Sequence, residues 1–166
     1  MYKRIFTKNL LNLTIVVIIF LIDRLSKNYI LKLSELQNGL DIYLNPYINL
    51  YLIWNKGIAF GLLSFNNNFT YHIVTVLIAI IISIMLIAVI KTDGFKKYSL
   101  LIVLSGALGN IFDRIYYSAV PDFIDIHIKD FHWFIFNIAD IFITLGIICL
   151  IYAELFFNKT IDDKKN

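Results

Sequence analysis

The stretch YHIVTVLIAIIISIMLIAVI, Tyr71 to Ile90, contains no charged residue, and its reading decides the class of fold. A helix that spans a bilayer needs about 20 consecutive, mainly apolar residues, and this run supplies them. Three further segments qualify, at about 10–31, 98–115 and 133–157; the last holds Asp140 and Glu154. The chain of 166 residues is 59% hydrophobic and 16% charged, with a mean hydropathy of +0.74. That is too apolar for a soluble domain of this size, so the bilayer is its expected solvent. The expectation is an all-α polytopic membrane protein, a single membrane domain over 1–166 with four transmembrane helices.

Basic residues set the orientation. Lys3, Arg4 and Lys8 precede the first apolar run, and DRLSKNYILKL follows it with no small-residue cleavage site. A retained helix therefore fits better than a signal peptide. Lys91, Lys96 and Lys97 lie between the second and third runs, and Lys159, Lys164 and Lys165 follow the fourth. With four spans these segments share one side, which the positive-inside rule makes cytoplasmic, both termini included. The outer side receives loops of about 32–70 and 113–132. The shorter one carries Asp113, Asp122, Asp125 and Asp130 against Arg114 and Lys129. The formal charge of +3 is too small to point to nucleic acid. A lone cysteine, Cys149, precludes an internal disulfide, argues against a Cys-based metal site and fits packing.

Polar residues then collect toward the outer face. Asp140 stands in an apolar run, about two turns and roughly 10 Å inside the expected boundary. A carboxylate near the centre of such a helix costs on the order of 2.5–3.5 kcal/mol, so it needs compensation or a function. Asn137 shares its face, and Asn110 shares a face with Asp113 and Arg114. Gly106 and Gly109 allow another helix to approach closely. Asp23 and Lys27 form an i, i+4 pair that serves equally as a paired charge near a helix end. Residues 120–128 alternate in a strand-like way. The loop DIYLNPYINLYLIWNKGIAFGLL, Asp41 to Leu63, reads as short strands: a small extracytoplasmic β-rich cradle between helices 1 and 2. Its Tyr43, Tyr47, Tyr51 and Trp54 suit the membrane interface. NKGIAFG carries the glycines expected where backbone approaches a ligand. His127 and His132 read as isolated, with no zinc spacing.

Five blocks in order, DRLSK (23–27), NKGIAFG (55–61), GALGNIFDR (106–114), PDFID (121–125) and FNIAD (136–140), resemble the lipoprotein signal peptidase family, signal peptidase II. Its members are bacterial membrane aspartyl proteases that remove signal peptides from diacylglyceryl-modified prolipoproteins, cutting just before the lipidated cysteine. The resemblance places the catalytic pair on Asp122 and Asp140. It places supporting or substrate-binding residues on Asp23, Lys27, Asn55, Gly57, Asn110, Asp113, Arg114 and Asn137. Ser105 and Pro121 depart from the residues usual in the family. The resemblance implies a hydrolase without metal or cofactor, with prolipoproteins and membrane lipid as partners. It implies a monomer in the bacterial inner membrane with its active site near the outer face. In that chemistry Arg114 and Asn137 suit orienting donors, and Asn55 and Asn110 suit substrate holders. Rival readings are a proton-conducting transporter using Asp140 and Asp113, a four-helix scaffold, and a lipid-modifying enzyme. The transporter calls for polar residues through the full membrane depth, and the lipid-modifying enzyme for a nucleophile or a metal beside the acids.

Overall fold

The computed structural model describes residues 2–57 and 68–157. The long apolar runs become helices: α1 Tyr2–Gln37, α2 Asn68–Lys91, α3 Gly94–Tyr117 and α4 Ile138–Phe157. Among the described residues these four are long and apolar enough to cross a membrane. Between them lie strands β1 Asp41–Asn45 and β2 Ile48–Asn55, then β3 Val120–Ile128 and β4 Phe131–Phe136. They form one antiparallel sheet in the order β1-β2-β3-β4. The cradle is therefore shared between the α1–α2 and α3–α4 connections and is not confined to the first. Residues 58–61 of NKGIAFG, and Lys159, Lys164 and Lys165, lie outside the described residues.

Helix α3 is the centre of the bundle and packs against α1, α2 and α4. Of its apolar window 56% is buried, against 17% for α1 and α2 and 22% for α4. The others turn large apolar side chains such as Leu25, Ile84 and Leu155 outward, as lipid-facing helices do. Ile82 and Val89 of α2 pack with Leu101 and Leu104 of α3 to form one core. A second core, of Ile30, Leu40 and Phe123, fixes the sheet on the end of α1. Two of the glycines read from the sequence permit this packing. A Cβ at Gly106 would meet the Ala139 carbonyl oxygen at 2.5 Å, and one at Gly109 would meet Asp23 Oδ2 at 2.6 Å.

Element boundaries differ from the hydropathy reading in one consequential place. The fourth apolar run begins as strand β4, with the sequence FHWFIF, and α4 starts only at Ile138. Aromatic and β-branched residues fit a pleated surface as well as a bilayer, so apolarity alone does not separate the two. Asp140 therefore lies in the first turn of α4, not two turns inside it.

Candidate active site

Asp122 sits on β3 and Asp140 at the start of α4, with 1% and 7% of their surfaces exposed. Local sequence explains both placements. Asn137 precedes α4 and its Oδ1 accepts from the Asp140 backbone N–H at 3.2 Å, while Asp140 Oδ2 accepts from the Asn137 backbone N–H at 3.2 Å. This reciprocal capping box satisfies donors that a helix N-terminus leaves orphaned. The helix dipole favours a carboxylate there as well. The aspartate in the apolar run is thus, first, a helix-capping residue.

The same Asn137 reaches the other carboxylate. Its Nδ2 donates to Asp122 Oδ1 at 2.6 Å, and Asn55 Nδ2 donates to Asp122 Oδ2 at 2.8 Å. Asn110 Nδ2 donates to Asp140 Oδ1 at 2.8 Å. Asp122, Asp140 and all three asparagines line one cavity of about 280 Å³. Burial first, and the neighbouring Asp140 charge second, push the Asp122 carboxyl up to about 7. Two buried carboxyl groups in one electrostatic neighbourhood resist double ionisation and tend to share a proton.

Behind the pair lies a buried charge cluster. Lys27 Nζ contacts Asp23 Oδ1 at 2.9 Å and Asp113 Oδ2 at 2.6 Å, and donates to Asn110 Oδ1 at 2.9 Å. Arg24 donates to Asp23 Oδ2 at 2.6 Å and to Asp113. Asp23 Oδ1 also accepts from the Ala139 backbone N–H at 3.1 Å, pinning the first turn of α4. Two acids face two bases, so the cluster is neutral and its charges are compensated. Through Lys27 it fixes which face of the Asn110 amide points to Asp140.

Arg114 stands apart from the carboxylates. Its guanidinium donates to the Gly57 carbonyl oxygen and lies 5.5 Å from the Tyr71 ring centroid. Tyr71 Oη in turn donates to the Arg114 carbonyl oxygen at 2.9 Å. Gly57 N–H donates to Asn55 Oδ1 at 2.8 Å, so Arg114 braces the end of β2 that presents Asn55. Arg114 Nη1 is buried without a hydrogen-bond partner, and Arg114 lines the carboxylate cavity. A second, apolar cavity of about 420 Å³ opens beside Asp140, bounded by Ile126, Trp133, Phe136 and Leu145.

The family model for signal peptidase (SPase) II matches residues 15–156. The chain belongs to the signal peptidase II family. A lipoprotein signal peptidase of Pelagibacter ubique is 51% identical over 156 residues, covering 94% of each chain. One of Anaplasma phagocytophilum is 39% identical over 149 residues, covering 89% of this chain and 94% of that one. Among solved structures, a bacterial membrane enzyme determined by the in meso method at 2.3 Å is 29% identical with a TM-score of 0.67, covering 87% of each chain. A second, at 1.9 Å, is 31% identical with the same TM-score of 0.67.

Of the ten residues that the signal peptidase II resemblance marks, the structure gathers nine around the cavity or directly behind it. Asp122, Asp140, Asn55, Asn110, Asn137 and Arg114 line it, with Lys27, Asp23 and Asp113 behind. Gly57 meets Arg114. Three details differ from the sequence reading. Asn55 and Asn110 hold the carboxylates, and Arg114 holds the Gly57 carbonyl. Asp23–Lys27 is part of a four-member cluster whose fourth member, Arg24, the i, i+4 pattern did not single out. His127 and His132 are not isolated, since their rings stack with centroids 5.2 Å apart. The signal for Arg24 was its place inside DRLSK; the pairing of the histidines needed the strand register.

Proposed function

We propose that Asp122 and Asp140 are the two carboxyl groups with which this signal peptidase II family member, an aspartic endopeptidase, removes signal peptides from prolipoproteins. The observation that carries this reading is Asn137, which holds Asp122 through its side chain and Asp140 through its backbone. One proton is shared by the pair. The ionised carboxylate takes a proton from water as the oxygen attacks the scissile carbonyl. The protonated one hydrogen-bonds the carbonyl oxygen, which becomes negative in the tetrahedral intermediate. The C–N bond then breaks, the amine leaves with a proton from the pair, and the second product carries the new carboxylate. Arg114 Nη1, buried and without a partner in the cavity, is the donor available to a substrate carbonyl.

The apolar cavity beside Asp140 suits an acyl chain or the end of a signal helix. The place of Asp140 in the first turn of α4 supports a site at the membrane boundary, where the bond before a lipidated cysteine would lie. Lys91, Lys96 and Lys97 between α2 and α3 lie at the opposite ends of those helices from the sheet, which supports cytoplasmic termini and a site near the outer face. The protein acts as a monomer in the inner membrane, in contact with lipid.

The test uses purified protein in detergent with one prolipoprotein prepared with and without the diacylglyceryl group. Release of the signal peptide from the lipidated form alone is expected. Equal cleavage of the unmodified form, or of neither by well-folded protein, contradicts the reading.

A further inference from the structure

We propose that Asp125, His127 and His132, with the Asn49 side-chain oxygen beside them, form a binding site for a divalent transition metal ion of the zinc class. Buried polar atoms in folded proteins nearly always have partners, so each exception calls for an explanation. Among the described residues the buried side-chain atoms without a hydrogen-bond partner are Asn49 Oδ1, Asp125 Oδ1, His127 Nδ1 and Arg114 Nη1. Three of the four belong to one patch of sheet. Asn49 on β2 lies directly opposite Asp125 on β3, and His127 is two residues further on the same face. Asp125 and His127 are only 2% and 8% exposed.

The strand register brings in the third ligand. Ile124 pairs with Phe136 and Asp125 with Ile135, a run that would set His127 against Trp133. An irregularity after Asp125 shifts the pairing by one, so His127 faces His132 instead. Bulges commonly re-aim a side chain in this way. His132 Nδ1 lies 2.7 Å, and His127 Nδ1 3.8 Å, from Asp125 Oδ2. One donor atom from each of the three residues falls within 4.8 Å of the others. On a tetrahedral zinc ion with bonds of about 2.0–2.2 Å, donors stand about 3.4 Å apart, within reach of small side-chain rotations. Two imidazoles and a carboxylate favour zinc or its transition-metal neighbours over calcium or magnesium, which select oxygen. His132 is half exposed, which gives the ion a way in.

This site is separate from the carboxylate pair. Along β3, Asp122 and Ile126 fall on one face, and Phe123, Asp125 and His127 on the other. An ion here would tie β2, β3 and β4 together and stiffen the strand that carries Asp122.

The test uses tag-free, chelator-stripped protein in detergent, titrated with zinc chloride in equilibrium dialysis and read again by thermal unfolding. The expected result is one zinc per chain, a rise in unfolding midpoint with zinc, and at least about tenfold weaker binding in His132→Ala and in Asp125→Asn. His132 is on the surface, so its variant should still cleave prolipoprotein, which shows that it is folded. Absence of stoichiometric zinc in wild type, or binding undiminished in both variants, overturns the proposal.

Discussion

Asn137 donates its side-chain amide to Asp122 Oδ1 at 2.6 Å and its own oxygen caps the helix that carries Asp140. One residue therefore sets the geometry of two elements that meet in the cavity. Removal of a preorganised polar group costs on the order of 10²–10³ in kcat, and loss of an N-cap costs about 1 kcal/mol. Asn137→Ala is expected to lower kcat by about that factor with a modest loss of stability. Steady-state kinetics and a thermal melt of the same preparation separate the two effects; a variant with near wild-type kcat contradicts the bridge.

Burial, then the Asp140 charge, disfavours the ionised form of Asp122 and pushes its carboxyl up to about 7. Its native pKa is thus raised above the ordinary 3.8. In the proposed mechanism the shared proton is present below that value and lost above it, so kcat/KM should fall as pH rises through about 7. Linkage gives the matching stability effect. The contribution of Asp122 is fully present below about pH 4, is lost as pH rises, and is gone once the native group ionises. Relative to Asp122→Asn, wild type should therefore lose stability between pH 5 and pH 8. Activity that holds level to pH 9 argues against the shared proton.

The charge cluster behind the site should be intolerant of single deletions. Lys27→Met leaves Asp23 and Asp113, both fully buried, with only Arg24 for compensation. Breaking a buried ion pair from one side typically costs about 3–5 kcal/mol. The variant should melt well below wild type and lose activity, since Asn110 loses the donor that orients it toward Asp140. Partial recovery of the melting midpoint in Lys27→Met with Asp23→Asn would mark unpaired charge as the cause; equal melting of Lys27→Met and wild type contradicts the account.

Gly109 should be sensitive as well, though less so than its charged neighbours. A Cβ there would stand 2.6 Å from Asp23 Oδ2, in a cluster with no slack. Overpacking of this kind costs about 1–3 kcal/mol. Gly109→Ala is expected to lower the unfolding midpoint and to reduce cleavage through displacement of Asp23 from the Ala139 N–H. A variant that melts and cleaves like wild type contradicts this packing.

Spanning helices were legible because length and apolarity are properties of the sequence itself, as Tyr71–Ile90 shows. The alternation over 120–128 likewise foretold β3. What escaped depended on partners distant in the chain. Trp133 to Phe136 read as membrane helix until β3 is there to pair with that strand. Arg24 gains its role from Asp113, far along the sequence on α3. His127 and His132 meet only through a one-residue slip in strand register, which periodicity does not reveal. Asp140 stood out as a carboxylate in an apolar run and Asp122 was picked out by family motif, while the asparagine bridge between them emerged from the geometry.

The most direct measurement of the central claim compares wild type with Asp122→Asn and Asp140→Asn on a diacylglyceryl-modified prolipoprotein, in detergent with chelator present. Signal peptide release should persist in wild type and vanish in both variants, with all three giving the same helical circular dichroism and comparable melts. Cleavage that survives either substitution would show that the Asp122–Asp140 pair is not the catalytic one.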